Sequence, residues 1–171
     1  LRVVSSCSSR NVARIPASGV SNTNYGYLFG GYSNAFSPFG PYTSIARFDF
    51  SSDTSPAPVH SNFTTARNRG AAVGNRDFGY FAGGTNSPST PAVYSTVDRY
   101  DYANDTASAT PKGPLSAASY GTLLASGNGS KGYFAGGYDA SVFPTVFYST
   151  IDRYDYSNDT VTSPPNIYNV N

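Results

Sequence analysis

Apolar and polar positions alternate along this chain over short stretches, and the stretches recur. Gly26-Tyr27-Leu28-Phe29-Gly30-Gly31 returns as Gly79-Tyr80-Phe81-Ala82-Gly83-Gly84 and again as Gly132-Tyr133-Phe134-Ala135-Gly136-Gly137. The steps are 79 − 26 = 53 and 132 − 79 = 53 residues. A second phrase follows each copy: Ser44-Ile45-Ala46-Arg47-Phe48-Asp49-Phe50, Thr96-Val97-Asp98-Arg99-Tyr100-Asp101-Tyr102 and Thr150-Ile151-Asp152-Arg153-Tyr154-Asp155-Tyr156. Alternation with a period of two predicts strands, and no helical periodicity competes with it. A fixed period of about fifty residues marks a propeller or solenoid, whose single unit cannot bury its own apolar face.

The middle copy shows the elements of a unit. Ala71 to Gly74 is a short strand of small residues, and Asn75-Arg76-Asp77 is a turn. Gly79 to Ala82 is the second strand, ended by Gly83-Gly84, where paired glycines permit positive φ or close backbone approach. Thr85 to Val93 reads as an irregular loop. The third strand, Tyr94 to Tyr102, puts Asp98, Tyr100 and Tyr102 on one face and Val97, Arg99 and Asp101 on the other. A turn at Ala103-Asn104-Asp105 leads to an outer strand over Thr106 to Ala109, closed by Pro111-Lys112-Gly113-Pro114.

This four-strand pattern resembles the kelch repeat, with its di-glycine after the second strand and its Tyr-Asp phrase in the third. The resemblance covers nearly the whole chain. It implies an all-β fold of kelch-like β-propeller blades, three four-stranded antiparallel repeats of about 53 residues. One departure is the Trp that kelch repeats usually carry after the third-strand turn; Ser55, Ala107 and Val161 stand near that place. The wording is similar to tandem kelch-like repeats of marine phage, viral and environmental proteins. That similarity implies a virion or extracellular location and a non-enzymatic structural or adhesive role.

Residues 1–171 read as a single repeat domain. Units span about 13–60, 66–112 and 118–164, and a tail covers 165–171. With the 53-residue offset, Val20 falls on Val73, so residues 1–6 lie where an outer strand belongs. The start at Leu1 and the lack of Met predict a processed product or an excerpt of a longer polypeptide. Propellers typically close with about 4–8 blades, and open sheets expose strand edges that proteins pair or cover. Three units therefore predict a homo-oligomer, or association with neighbouring subunits of a larger assembly.

Composition narrows the function. Lys+Arg 11 against Asp+Glu 10, with no basic cluster, removes the electrostatic case for nucleic acid. No apolar run approaches the ~20 residues of a membrane helix. Cys7 is alone, so neither an intrachain disulfide nor a Cys-based zinc site follows. His60 is the single histidine and, like Cys7, lies in no nucleophile motif; a surface or inter-strand role is expected for both. The sequons at Asn62, Asn104, Asn128 and Asn158 are no more than so much Asn, Ser and Thr yields by chance. No catalytic residue, metal or cofactor is assigned.

Residues that recur in every unit read as scaffold, since a single site uses each of its residues once. Gly30, Gly31, Gly83, Gly84, Gly136 and Gly137 end strands. Arg47/Asp49, Arg99/Asp101 and Arg153/Asp155 read as a repeated inter-strand or inter-blade ion pair rather than a ring of ligand charges. Asp53, Asp105 and Asp159, each before a Thr, read as turn caps rather than calcium ligands, although Asp98, Asp101 and Asp105 have an acidic spacing. The aromatics Phe48/Phe50, Tyr100/Tyr102 and Tyr154/Tyr156 read as packing between blades rather than a stacking platform.

What differs between units is the loop after each Gly-Gly. Loops on a rigid scaffold commonly carry binding residues. Tyr32, Phe36, Phe39, Tyr138, Phe143 and Phe147 make the first and third loops rich in aromatics. They are the candidate ligand- or partner-binding residues, for a neighbouring subunit or a glycan; local packing is the competing role. The other functional reading is a fragment of a kelch-type enzyme or an intracellular protein-interaction propeller. For the enzyme, the oxidase-type relatives imply copper-binding Tyr and His residues, and one His is too few.

Overall fold

The structure, a computed structural model, describes residues 18–33, 40–52, 57–86, 92–121 and 123–162. Each repeat folds into one four-stranded antiparallel sheet. The first holds β1 (Ser18–Ser21) and β2 (Tyr25–Phe29), then a two-stranded excursion of β3 (Tyr32–Ser33) and β4 (Gly40–Pro41), then β5 (Ser44–Asp49) and β6 (Val59–Asn62). The second holds β7 (Ala71–Gly74), β8 (Phe78–Ala82), β9 (Val97–Asp101) and β10 (Thr110–Lys112). The third holds β11 (Leu124–Gly127) and β12 (Lys131–Ala135), an excursion of β13 (Tyr138–Asp139) and β14 (Val146–Phe147), then β15 (Ile151–Asp155) and β16 (Thr160–Thr162). Strands within each sheet lie in chain order.

The sheets pack against one another in sequence. β7 is flanked by β1 on one side and β11 on the other. Two apolar layers result. Tyr27, Phe29, Ile45, Phe63, Phe81 and Tyr100 fill the first-to-second seam. Val73, Tyr80, Val97, Phe134, Tyr154 and Tyr156 lie in the second-to-third seam. None of the three sheets closes on itself.

The Gly-Gly refrain is required by geometry. Gly83 and Gly84 adopt φ of 67° and 99°. A Cβ on Gly83 would stand 2.6 Å from the Ser119 carbonyl oxygen, and one on Gly84 the same distance from that of Asn68. The segments that lead into the second and third sheets pass there, so any side chain would push them off.

Expected boundaries differ in two strands. The third strand of the second sheet, expected over Tyr94 to Tyr102, runs from Val97 to Asp101, and Tyr102–Asn104 form a 3-10 turn because the Asp101 side chain accepts from the Ala103 amide. The outer strand expected over Thr106 to Ala109 lies instead at Thr110–Lys112. Residues 106–109 are diverted to the first sheet, where the Ala109 amide donates to the Asn62 carbonyl and the Ser61 hydroxyl donates to that of Ala107. The strand expected over residues 1–6 and the tail at 165–171 lie outside the described residues.

Candidate functional site

Strand register gives every sheet a forward face, toward the following sheet, and a rear face. Tyr27 sits opposite Arg47, Tyr80 opposite Arg99 and Tyr133 opposite Arg153, so each pair shares the forward face. Gly26, Gly79 and Gly132 sit opposite Phe48, Tyr100 and Tyr154 on the rear face. The glycine makes room there. A Cβ on Gly79 would lie 2.8 Å from the Tyr102 hydroxyl of its own sheet and 2.9 Å from Val20 of the preceding one.

The seams repeat one arrangement. Tyr27 stacks on Tyr102 at 4.7 Å and meets Tyr100 edge-on at 5.3 Å. One repeat later Tyr80 stacks on Tyr156 at 4.9 Å and tilts against Tyr154 at 4.7 Å. Arg47 Nη1 donates to Asp105 Oδ2, and Arg99 Nη1 donates to Asp159 Oδ2 at 2.6 Å. Each guanidinium also lies over a ring of its own sheet, Tyr25 at 4.3 Å and Phe78 at 4.5 Å. His60 Nδ1 stands 3.8 Å from Asp105 Oδ2, beside the first of these pairs.

The acidic positions therefore exchange the duties expected of them. The arginines of the first two sheets pair with the turn aspartate of the next sheet, not with the aspartate two residues on. Asp49, Asp101 and Asp155 close their own turns: Asp49 accepts from Ser51, Asp101 from Ala103 and Asp155 from Ser157. A carboxylate at a strand end lies over the next two amides and is captured locally. The long arginine on the forward face reaches past it. Asp155 also accepts from Lys131 Nζ at 2.6 Å, and these donors hold its carboxyl well below the usual carboxylate range. Arg153 donates Nε to the Thr162 hydroxyl and makes no ion pair among the described residues. Asp53 lies outside them.

Burial is the first cause that raises the phenol pKa of Tyr80, Tyr100 and Tyr154 above the ordinary tyrosine value, with the neighbouring Asp159 or Asp105 adding to it. Tyr156 is pushed up to about 12 by burial alone.

One group was not assigned from sequence. Arg67 and Asp98 are both fully buried, and Arg67 Nη2 donates to Asp98 Oδ2 at 2.6 Å. Thr64 donates to the same carboxylate at 3.0 Å. Phe81 and Phe63 lie 4.9 and 5.2 Å from the guanidinium carbon. Burial raises the Asp98 pKa against the opposing pull of Arg67 and lowers that of Arg67. In the third sheet Asp152 accepts from the Ser116 amide and hydroxyl, and buried Ser119 stands one repeat on from Arg67. The recurrence of Asp98 as Asp152 was the available signal.

The variable loops divide into anchored and projecting residues. Tyr32 is half-buried in β3, and Phe36 and Phe39 lie outside the described residues. Tyr138 is an anchor: its ring packs on Tyr120 at 4.4 Å, and the two residues exchange backbone hydrogen bonds. Phe147 touches Tyr138 at 5.7 Å yet is 77% exposed, and Phe143 is 100% exposed. Val142 and Val146 are exposed beside them. At the opposite strand end, a shallow cleft of about 330 Å³ is lined by Asn22, Asn24, Arg76, Asp77 and Tyr102. The Asn22 carboxamide there is taken up by the Asn24 and Tyr25 amides. Among the described residues, no group of three or more His, Cys, Asp or Glu side chains comes together as a metal site would need. No helix among them is long and apolar enough to cross a membrane.

Fold and seams define an all-β repeat protein of packed antiparallel sheets. No family model matches the chain, and no curated protein matches it. Among solved structures it is similar to YjhT, with a TM-score of 0.68 over 90% of this chain and 14% sequence identity. At that identity the likeness shows the fold alone. The match covers 54% of YjhT, so this chain spans about half the length of that protein.

Proposed function

We propose that the three sheets are blades of a kelch-like propeller array and that the protein is a non-enzymatic structural and adhesive module of a virion or extracellular assembly. The observation that carries this reading is the β13–β14 hairpin. Its base is fixed by the Tyr120–Tyr138 contact, while Phe143 and Phe147 project into solvent with Val142 and Val146. Exposed rings on a rigid support are what a protein surface or a sugar face binds. The recurrent charges support the same view, because Arg47, Arg99, Asp105 and Asp159 are engaged in holding sheets together.

A glycan array probed with the parent chain and with Phe143→Ala tests the adhesive role. Binding by the parent that is lost in the variant is the expected result, with the fold unchanged because the ring touches solvent only. A parent that binds no glycan removes adhesion to sugars and leaves the hairpin as a subunit contact. Stoichiometric copper in the purified chain would overturn the non-enzymatic reading.

A further inference from the structure

We infer that the forward face of the third sheet and the rear face of the first are the two halves of one more seam, each occupied by a second copy of this chain docked head to tail. The argument rests on the seams and not on the loops, so it can fail without the adhesive reading failing.

Both seams within the molecule are built from the same parts. A Tyr–Arg pair on the forward face enters a bed of two rings beside a glycine on the rear face. The third sheet carries the forward half, and no other described sheet packs over it. Tyr133 is 38% exposed where Tyr27 and Tyr80 are buried, and Leu124 is 71% exposed where Ala71, one repeat earlier, is buried. Ile151 and Ala135 are half-buried where Val97 and Ala82 are buried. Arg153 holds the place from which Arg47 and Arg99 reach an aspartate of the next sheet.

The first sheet carries the rear half. Phe48 and Phe50 stand where the second and third sheets place Tyr100/Tyr102 and Tyr154/Tyr156, and Phe50 is 53% exposed. The three atoms nearest to a Cβ built on Gly26 belong to Phe50 and Phe48 of its own sheet, whereas those nearest to Gly79 and Gly132 include Val20 and Val73 of the sheet before. Phenylalanine keeps the stacking surface that a visiting tyrosine uses. Tyr133 of one copy thus has a receptor on another that matches the ones used by Tyr27 and Tyr80.

A second copy is the occupant because the complementarity is that of the repeat with itself, and the interface continues one the molecule already makes twice. The contact is heterologous, since the two faces differ. Such contacts generate closed rings when the rotation closes and open filaments when it does not.

Sedimentation of the intact chain over a concentration series tests this. The expected mass is two or more times 18.1 kDa. Tyr133→Arg on the forward face and Phe50→Arg on the rear face should each weaken association by at least about tenfold, the loss of one buried aromatic anchor. An equimolar mixture of the two variants should associate more tightly than either alone, because one intact seam remains available between them. Leu124→Lys, at an exposed position, repeats the forward-face test without risk to the fold, and circular dichroism checks each variant. A monomer at every concentration overturns the inference. So does assembly broken from one face only, which means like faces meet.

Discussion

Tyr80 and Tyr133 stand at the same place in successive sheets, each opposite the arginine of the neighbouring strand. One is buried under Tyr154 and Tyr156, and the other is more than a third exposed. Their strands and local partners hardly differ. The difference is a following sheet, present for Tyr80 and, among the described residues, absent over Tyr133. Burial in this protein is thus a property of the seam between sheets rather than of the sheet, as expected when each unit has only its neighbours to pack against. A repeat supplies half of a contact twice, once on each face. The two end faces are the halves left over.

The largest test of this contrast replaces the two tyrosines in turn. Tyr80→Ala opens a cavity in the second seam and should cost about 3–5 kcal/mol. Tyr133→Ala should change the stability of the isolated chain by no more than about 0.5 kcal/mol. Urea unfolding of both variants measures this, and equal losses would mean that the sheets are stabilised from within.

A second comparison sets the seams against each other. Asp98→Ala leaves Arg67 charged and buried without its partner, at about 3–5 kcal/mol. Asp152→Ala removes the acceptor of the Ser116 amide and hydroxyl, at about 1–3 kcal/mol. Replacing both members of the first pair by apolar residues, Arg67→Met with Asp98→Leu, should recover most of the loss. If the double variant is as unstable as the single one, Arg67 is held chiefly by the rings and carbonyls around it.

The third test uses pH. Burial raises the phenols of Tyr80, Tyr100 and Tyr154 in the folded chain. As pH rises the unfolded chain loses these protons first and is favoured. Their contribution is complete below the ordinary phenol value of about 10 and is lost as pH rises above it. Tyrosinate absorbance should therefore increase together with loss of the β signal. Ionisation of the seam tyrosines with the sheets intact would show that the seams open to solvent without unfolding.

Much of the fold was legible in the sequence. The strands β7 and β8, the faces of β9 and the positive φ at Gly83 and Gly84 follow from alternation and from what glycine alone permits, both local effects. The outer strand of the second sheet was misplaced because the Ala109 amide and the Ala107 carbonyl find their partners, Asn62 and Ser61, on the first sheet, more than forty positions away. Of the candidate site, Phe143 and Phe147 project while Tyr138 anchors, and composition treats all three alike. The Arg67–Asp98 pair was missed because the first unit has Ala46 at the aspartate's place and the third has Ser119 at the arginine's.

From its sequence alone this protein is determined to be a three-fold repeat of short strands, with glycines where the chain must turn or pass closely. Such features depend on residues that are neighbours along the chain. Only the tertiary structure decided which aspartate each arginine meets, which tyrosines lose contact with water, and which faces are left uncovered. Those outcomes depend on what the next sheet brings within a few ångströms, and among the described residues no sheet does so for the forward face of the third sheet or the rear face of the first.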